Sequence, residues 1–143
     1  MRISSLLLAV FCAAGVLVVL LLGMGVNFHR PTPAQGADLY NPATEVVVKG
    51  VVAETRDFAC PVSEGEVGSH LMLKTAEGVL QVHLAPGRIM RSQKLSFAVG
   101  DQITVIGSKV RIFGNQDLIA REITRGDESF VFRDSTGKLM LVQ

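Results

Sequence analysis

The sequence predicts an all-β domain: a five-stranded Greek-key barrel with a short crossover helix and a C-terminal β-hairpin, preceded by one N-terminal transmembrane helix. Three observations lead there. From Thr44 onward the chain reads as short apolar-alternating runs separated by glycine, proline and acidic turns, the pattern of β-strands. The first run, "TEVVVKGVVAETR", is long and valine-rich with Gly50 at its centre, as expected of a strand that bends to pair on both of its edges. The alternation breaks once, at "APGRIMRSQKLSF", where Pro86 opens a short helix with Ile89 and Met90 facing inward. Three strands, a helix and two more strands describe the OB-type barrel, with an open antiparallel sandwich as the competing arrangement.

The elements follow in order. "DFACPVSEGEVGS" (Asp57 to Ser69) reads as a loop, rich in glycine and acidic residues. "HLMLKT" and "GVLQVHL" read as two strands around a turn at Ala76 to Gly78. After the crossover, Val99 to Asp101 makes a turn, Ile103 and Val105 begin a fourth strand, and Gly107 marks a second bend. "GNQD" (Gly114 to Asp117) reads as a tight turn before the fifth strand, "LIAREITRG". "SFVFRDSTGKLMLV" closes the chain as a hairpin with Ser135 to Gly137 at its tip.

Residues 6–26, "LLLAVFCAAGVLVVLLLGMGV", carry no charge. At about 1.5 Å per helical residue the run covers roughly the 30 Å of a bilayer core, longer than a signal peptide's apolar segment. The expected organisation is a short tail at 1–5, an anchor at 6–26, a proline-rich linker at 27–43 and a barrel domain at 44–143, with a cleaved signal peptide as the alternative for the apolar run. A short N-terminus before a large downstream domain predicts a single-pass membrane protein with its C-terminal domain outside the cytoplasm, periplasmic or on the cell surface. Cys12 falls inside the apolar run, leaving Cys60 alone in the domain and no internal disulfide to form. A small apolar role is the simplest reading of that thiol.

"VGDQITVIG", "LIAREI" and "FVFRDSTGKL" together resemble small exported or membrane-anchored bacterial OB-fold-like proteins, a resemblance spanning Glu45 to Leu141. It implies the barrel fold and an extracytoplasmic setting and supplies no catalytic residue. An anchored OB domain is also similar to the haem chaperone of cytochrome c maturation. That family's C-terminal motif holds a histidine and a tyrosine, and "REITRGDESFVFRD" has neither.

Fourteen basic and 13 acidic residues leave a net charge of +1, so no basic face announces nucleic acid. There is no tryptophan, and the only tyrosine is in the linker, which argues against a stacking platform for single strands. Arg88, Arg91 and Lys94 form at most a small basic ridge on the crossover. No nucleophile elbow, phosphate loop or metalloprotease spacing is present, so no catalytic residue and no enzymatic activity are expected. The expected role is a non-enzymatic binding or assembly module, tied to the membrane by its helix and engaging another envelope protein or a small ligand.

His70 and His83 carry the alternative. If Leu71, Leu73, Val82 and Leu84 face the core, both histidines and Met72 share the opposite face. A loop from Thr75 to Gly78 pairs Lys74 with Val79 and so sets His70 opposite His83, with Cβ atoms about 4.5–5.5 Å apart; a tighter turn would pair Met72 with His83. Imidazole and thioether suit copper, and small periplasmic OB barrels that carry copper share that ligand type. Structural zinc expects four protein ligands, and Cys60 is far away in sequence. The plain expectation for these positions is two polar histidines on the wet face of a hairpin; the alternative is a copper site of His70, Met72 and His83, and no other cofactor is indicated.

Overall fold

The computed structural model describes residues 39–140. The expected anchor and most of the linker lie outside the described residues. Among those described, no helix is long and apolar enough to cross a membrane.

Six strands form one sheet: β1 (Glu45–Ala59), β2 (Val67–Thr75), β3 (Gly78–Pro86), β4 (Gln102–Ile112), β5 (Asn115–Arg125) and β6 (Glu128–Val131), with helix α1 (Gly87–Ser92) between β3 and β4. β1 pairs with β4 along its first half and with β2 along its second, and Val51 belongs to both ladders, opposite Gln102 and Lys74. The strand changes partner beside Gly50, as its sequence predicts, and a bulge between Val52 and Glu54 adds to the bend. The order β3-β2-β1-β4-β5 is closed by a short parallel contact in which Val82 faces Leu118 and His83 faces Ile119. A five-stranded Greek-key barrel with a helix crossing from the third strand to the fourth is an OB fold.

The barrel interior holds Leu71, Leu73, Val82, Val105, Leu118 and Ile123, with Met90 of α1 packed into the same cluster. Ile89 and Met90 are both buried, which makes α1 amphipathic in one turn and a half. Gly107 sits at the second bulge, between Ile106 and Gly107 of the β4–β5 ladder. A Cβ there would strike the Ile119 carbonyl, so only glycine allows β5 to lie this close.

Three expectations are corrected. The segment from Asp57 to Ser69 is strand at both ends: β1 runs on to Ala59 and β2 begins at Val67, leaving Cys60 to Glu66 as the connection, with one 3₁₀ turn at Pro61–Ser63. The tight turn sits at Phe113–Gly114 rather than Gly114 to Asp117. Ile112 pairs with Asn115, and both turn residues have positive φ, 49° and 85°, the backbone of a two-residue hairpin loop that follows the strand twist. The C-terminal hairpin shrinks to one bridge, Arg133 to Leu139, while β6 pairs instead with β5 through a turn at Gly126–Asp127.

The terminal segment has another task. Phe132 is sealed in the barrel core, and Arg133 reaches back with Nη1 donating to the Leu84 and Ala120 carbonyls, each at 2.6 Å. β3 and β5 share only two residue pairs, so this guanidinium spans the seam just past their last pairing. Burial drives its pKa down to about 10.

At the other end, residues 39–43, part of the expected linker, pack on the barrel. Tyr40 is buried and donates to Glu45 at 2.5 Å, Arg121 grips Glu45 through two hydrogen bonds, and the Asn41 amide donates to Ser108 Oγ.

Candidate functional site

The β2–β3 hairpin has the register expected from a Thr75–Gly78 loop: Lys74 lies opposite Val79, Leu71 opposite Val82 and His70 opposite His83. Leucine and valine point into the barrel, and the histidines point to the other face. That face is not wet. His70 and His83 are each 1% exposed, so the expectation of polar surface histidines is overturned. The reason lies in the segment whose composition suggests a loop. Because β1 continues to Ala59 and then turns at Pro61–Ser63, it lays Phe58, Cys60 and Val62 over the outer face of β2 and β3. With Tyr40, Ile112 and Ile119 they form a second apolar cluster outside the barrel.

Cys60 is the residue this covering brings in. Its carbonyl accepts from the Ser63 and Gly65 amides at 3.1 Å each, which tightens the turn and fixes the side chain inward. Gly68 lets the turn press onto β2, since a Cβ there would collide with the Ser63 hydroxyl. Cys60 Sγ then lies 3.2 Å from His70 Nε2. One donor atom from each of Cys60, His70 and His83 falls within 4.8 Å of the others. The rings are set edge to face, with centroids 4.7 Å apart, and Phe58 stacks on His70 at 3.8 Å.

A fourth residue orients the third. Asp117 Oδ2 accepts from His83 Nε2 at 2.8 Å and from Gln81 Nε2 at 3.0 Å, and it is 3% exposed. With the His83 proton on Nε2, Nδ1 is left as the lone-pair nitrogen. His83 Nδ1 is sealed from solvent and has no hydrogen-bond partner; His70 Nδ1 is unpartnered too, although it is Nε2 of that ring that faces the Cys60 sulfur. Buried polar atoms are rarely left so, and an orphan nitrogen asks for an explanation such as an ion.

The electrostatics fit a thiolate. Burial alone pushes the Cys60 thiol up, but hydrogen bonding to His70, His83 and Ser63 outweighs it and brings the thiol down to about 5, from an ordinary 9.0. The thiolate therefore favours the fold fully above pH 9.0, and this contribution is lost as the pH falls through about 5. In metal-free protein, the ultraviolet thiolate absorption should rise with a midpoint near pH 5 and be missing from Cys60→Ser; a midpoint near 9 would show that the imidazoles do not act on the sulfur.

Of the residues singled out in the sequence, His70 and His83 come together as expected. Met72 shares their face but is half-buried and stands opposite Gln81, two residues along the ladder from the His70–His83 pair. Cys60 and Asp117 escape the sequence reading because each falls in a stretch whose composition suggests a loop or turn. The signal for Asp117 is its alternation with Ile119, which puts both on one face of β5. The basic ridge does not form as a unit: Arg88 pairs with Glu66 at 2.9 Å on the exposed surface.

Closed strand order, crossover helix and a dry thiol–imidazole cluster against the outside of the β2–β3 hairpin define the class: a small OB-fold protein with a buried donor site. Residues 44–130 match the MamS/MamX magnetosome protein family, well over half of the chain, and the chain belongs to that bacterial family. No curated protein matches it. Among solved structures it is similar to the S. pombe Stn1-ten1 complex, at 16% identity over 69% of this chain and 80% of that one, with a TM-score of 0.46. It is also similar to OBody AM1L10 bound to hen egg-white lysozyme (18%, 64% and 85%, TM-score 0.45) and to the second OB-fold domain of replication protein A from Methanococcus maripaludis (17%, 59% and 85%, TM-score 0.41). Likeness at this level carries no argument about function.

Proposed function

We propose that this chain is a non-enzymatic OB-fold binding module of the magnetosome system whose ligand is a soft or borderline transition-metal ion held by Cys60, His70 and His83. The observation that carries the reading is the convergence of one thiol and two imidazoles within 4.8 Å inside an apolar shell, with a buried carboxylate behind one imidazole. Metal-bound histidines commonly have such an outer carboxylate, which fixes tautomer and ring orientation. Compared with the ligand set expected from the sequence, Cys60 replaces Met72.

Cysteine, histidine and aspartate in sequence also make a nucleophile, a base and an orienting acid in thiol enzymes. Here the sulfur belongs to a residue only 3% exposed, which suits a ligand sealed among side chains better than a nucleophile that must meet a substrate. The apolar run at 6–26 supports a membrane anchor with the barrel outside the cytoplasm, and membership of a magnetosome family supports a partner in the envelope or membrane system.

The test is a calorimetric titration of the full-length chain in detergent with Zn(II), Co(II) and anaerobic Cu(I). One ion per chain, lost in Cys60→Ala and in His83→Ala, is the expected result. If no ion binds, or if Cys60→Ala binds as wild type does, the reading fails.

A further inference from the structure

The donor set says more than that a metal binds. Resting on the metal-binding reading, we propose that the ion is copper, held as Cu(I) in a three-coordinate centre of one thiolate and two imidazoles. Two features of the cluster lead to it.

The first is the count. Among the described residues the cluster of histidine, cysteine and acidic donors has three members and no fourth. Asp117, the nearest acid along the chain of contacts, already uses Oδ2 to accept from His83 and Gln81. Structural zinc closes a tetrahedron with four protein ligands, and catalytic zinc keeps its fourth place for water or substrate. The site offers no fourth histidine, cysteine or acidic ligand among the described residues, and its three donor residues are each 3% exposed or less, with Phe58 stacked on His70 and Tyr40, Val62, Ile112 and Ile119 completing the shell. Cu(I) is at ease with low coordination and soft ligands, and two imidazoles with one thiolate form a recognised trigonal copper set.

The second is the spacing. An ion about 2.0–2.3 Å from each of three donors in a plane holds those donors roughly 3.5–4 Å apart. Sγ to His70 Nε2 is 3.2 Å, and all three donor atoms lie within 4.8 Å of one another. Small side-chain rotations suffice to bring this arrangement to a trigonal one, and no strand has to move.

Affinity alone does not discriminate, because divalent copper outranks zinc at most nitrogen and sulfur sites. The deciding measurement is the coordination number. The full-length chain in detergent would be loaded with Cu(I) without oxygen, against a colorimetric Cu(I) chelator, and examined by X-ray absorption at the copper edge. The expected result is one copper per chain with one sulfur and two nitrogen neighbours, no loss of copper to excess Zn(II), and loss of the sulfur neighbour in Cys60→Ser. Four-coordinate copper, or copper displaced by Zn(II), overturns the copper assignment while leaving the metal-binding reading intact. Failure to bind Cu(I), Zn(II) or Co(II) overturns both. The coordination number of copper in the wild-type protein decides the matter even if Cys60→Ser folds poorly.

Discussion

Replacing Phe132 by alanine should unfold a large fraction of the protein at moderate temperature. The ring is fully buried, the largest such side chain among the described residues, and it packs in the barrel cluster with Leu84, Leu118 and Ile123. Phenylalanine-to-alanine changes in such places cost about 3–5 kcal/mol, through lost transfer energy and the cavity left behind. For a domain near 100 residues that is roughly 15–30 °C in melting temperature, and a large share of a total stability of about 5–15 kcal/mol. The position is not in a strand. It follows β6, and its amide donates to the Arg121 carbonyl at the β5 bulge, so the chain end is hooked into the seam and the ring enters from there. Phe113→Ala is the control. That ring is 84% exposed at the tip of the β4–β5 hairpin, and its loss should move stability by no more than about 0.5 kcal/mol. Thermal unfolding of the two variants side by side checks the contrast; equal shifts would mean that the C-terminal segment does not close the barrel.

Neither the burial of Phe132 nor the exposure of Phe113 is evident from its neighbours in sequence, and the donor cluster shows the same division between what is legible and what is not. Period-two patterning marks a buried face wherever a strand is bounded by clear turns, so the β2–β3 hairpin, its register and the crossover helix are all readable from the order of residues alone. The pairing of His70 with His83 follows from the length of one loop. What patterning does not carry is what covers the second face. The alternation of leucine and histidine is identical whether the histidines meet water or a folded-over segment, and the covering residues here come from a stretch whose proline, glycines and acids look like a surface loop. "GNQD" misleads in the same way. Its polar residues fit a turn, but the hairpin reverses one residue earlier, at Phe113–Gly114, because glycine can take the positive φ of the second loop position. The loop is two residues long rather than four, which carries Asp117 out of the turn and into β5. Cys60 is the larger omission, since a lone cysteine distant in sequence gives no sign that a turn will bring it to two histidines.

Asp117→Ala should separate the fold from the site more sharply than a ligand change does. The carboxylate touches no donor sulfur; it accepts from His83 and Gln81, both on β3, and its own strand meets β3 in only two residue pairs. Removing it leaves the His83 and Gln81 donors without their acceptor, about 1–3 kcal/mol for each group that stays buried and unpaired. Loss of the outer carboxylate should also lower metal affinity by about 10–100-fold, because His83 is then free to turn and to hold its proton on either nitrogen. Asp117→Asn keeps an oxygen of similar reach and should recover most of the affinity, since the side-chain carbonyl still accepts from Nε2. Metal titration and chemical denaturation on the same three proteins give the two readings independently. A stability loss without any change in affinity would make Asp117 a strut of the β3–β5 seam and nothing more. Parallel losses in alanine, with affinity restored by asparagine, would mean that the contact closing the barrel also holds His83 in the one tautomer that leaves a lone pair on Nδ1 for the ion.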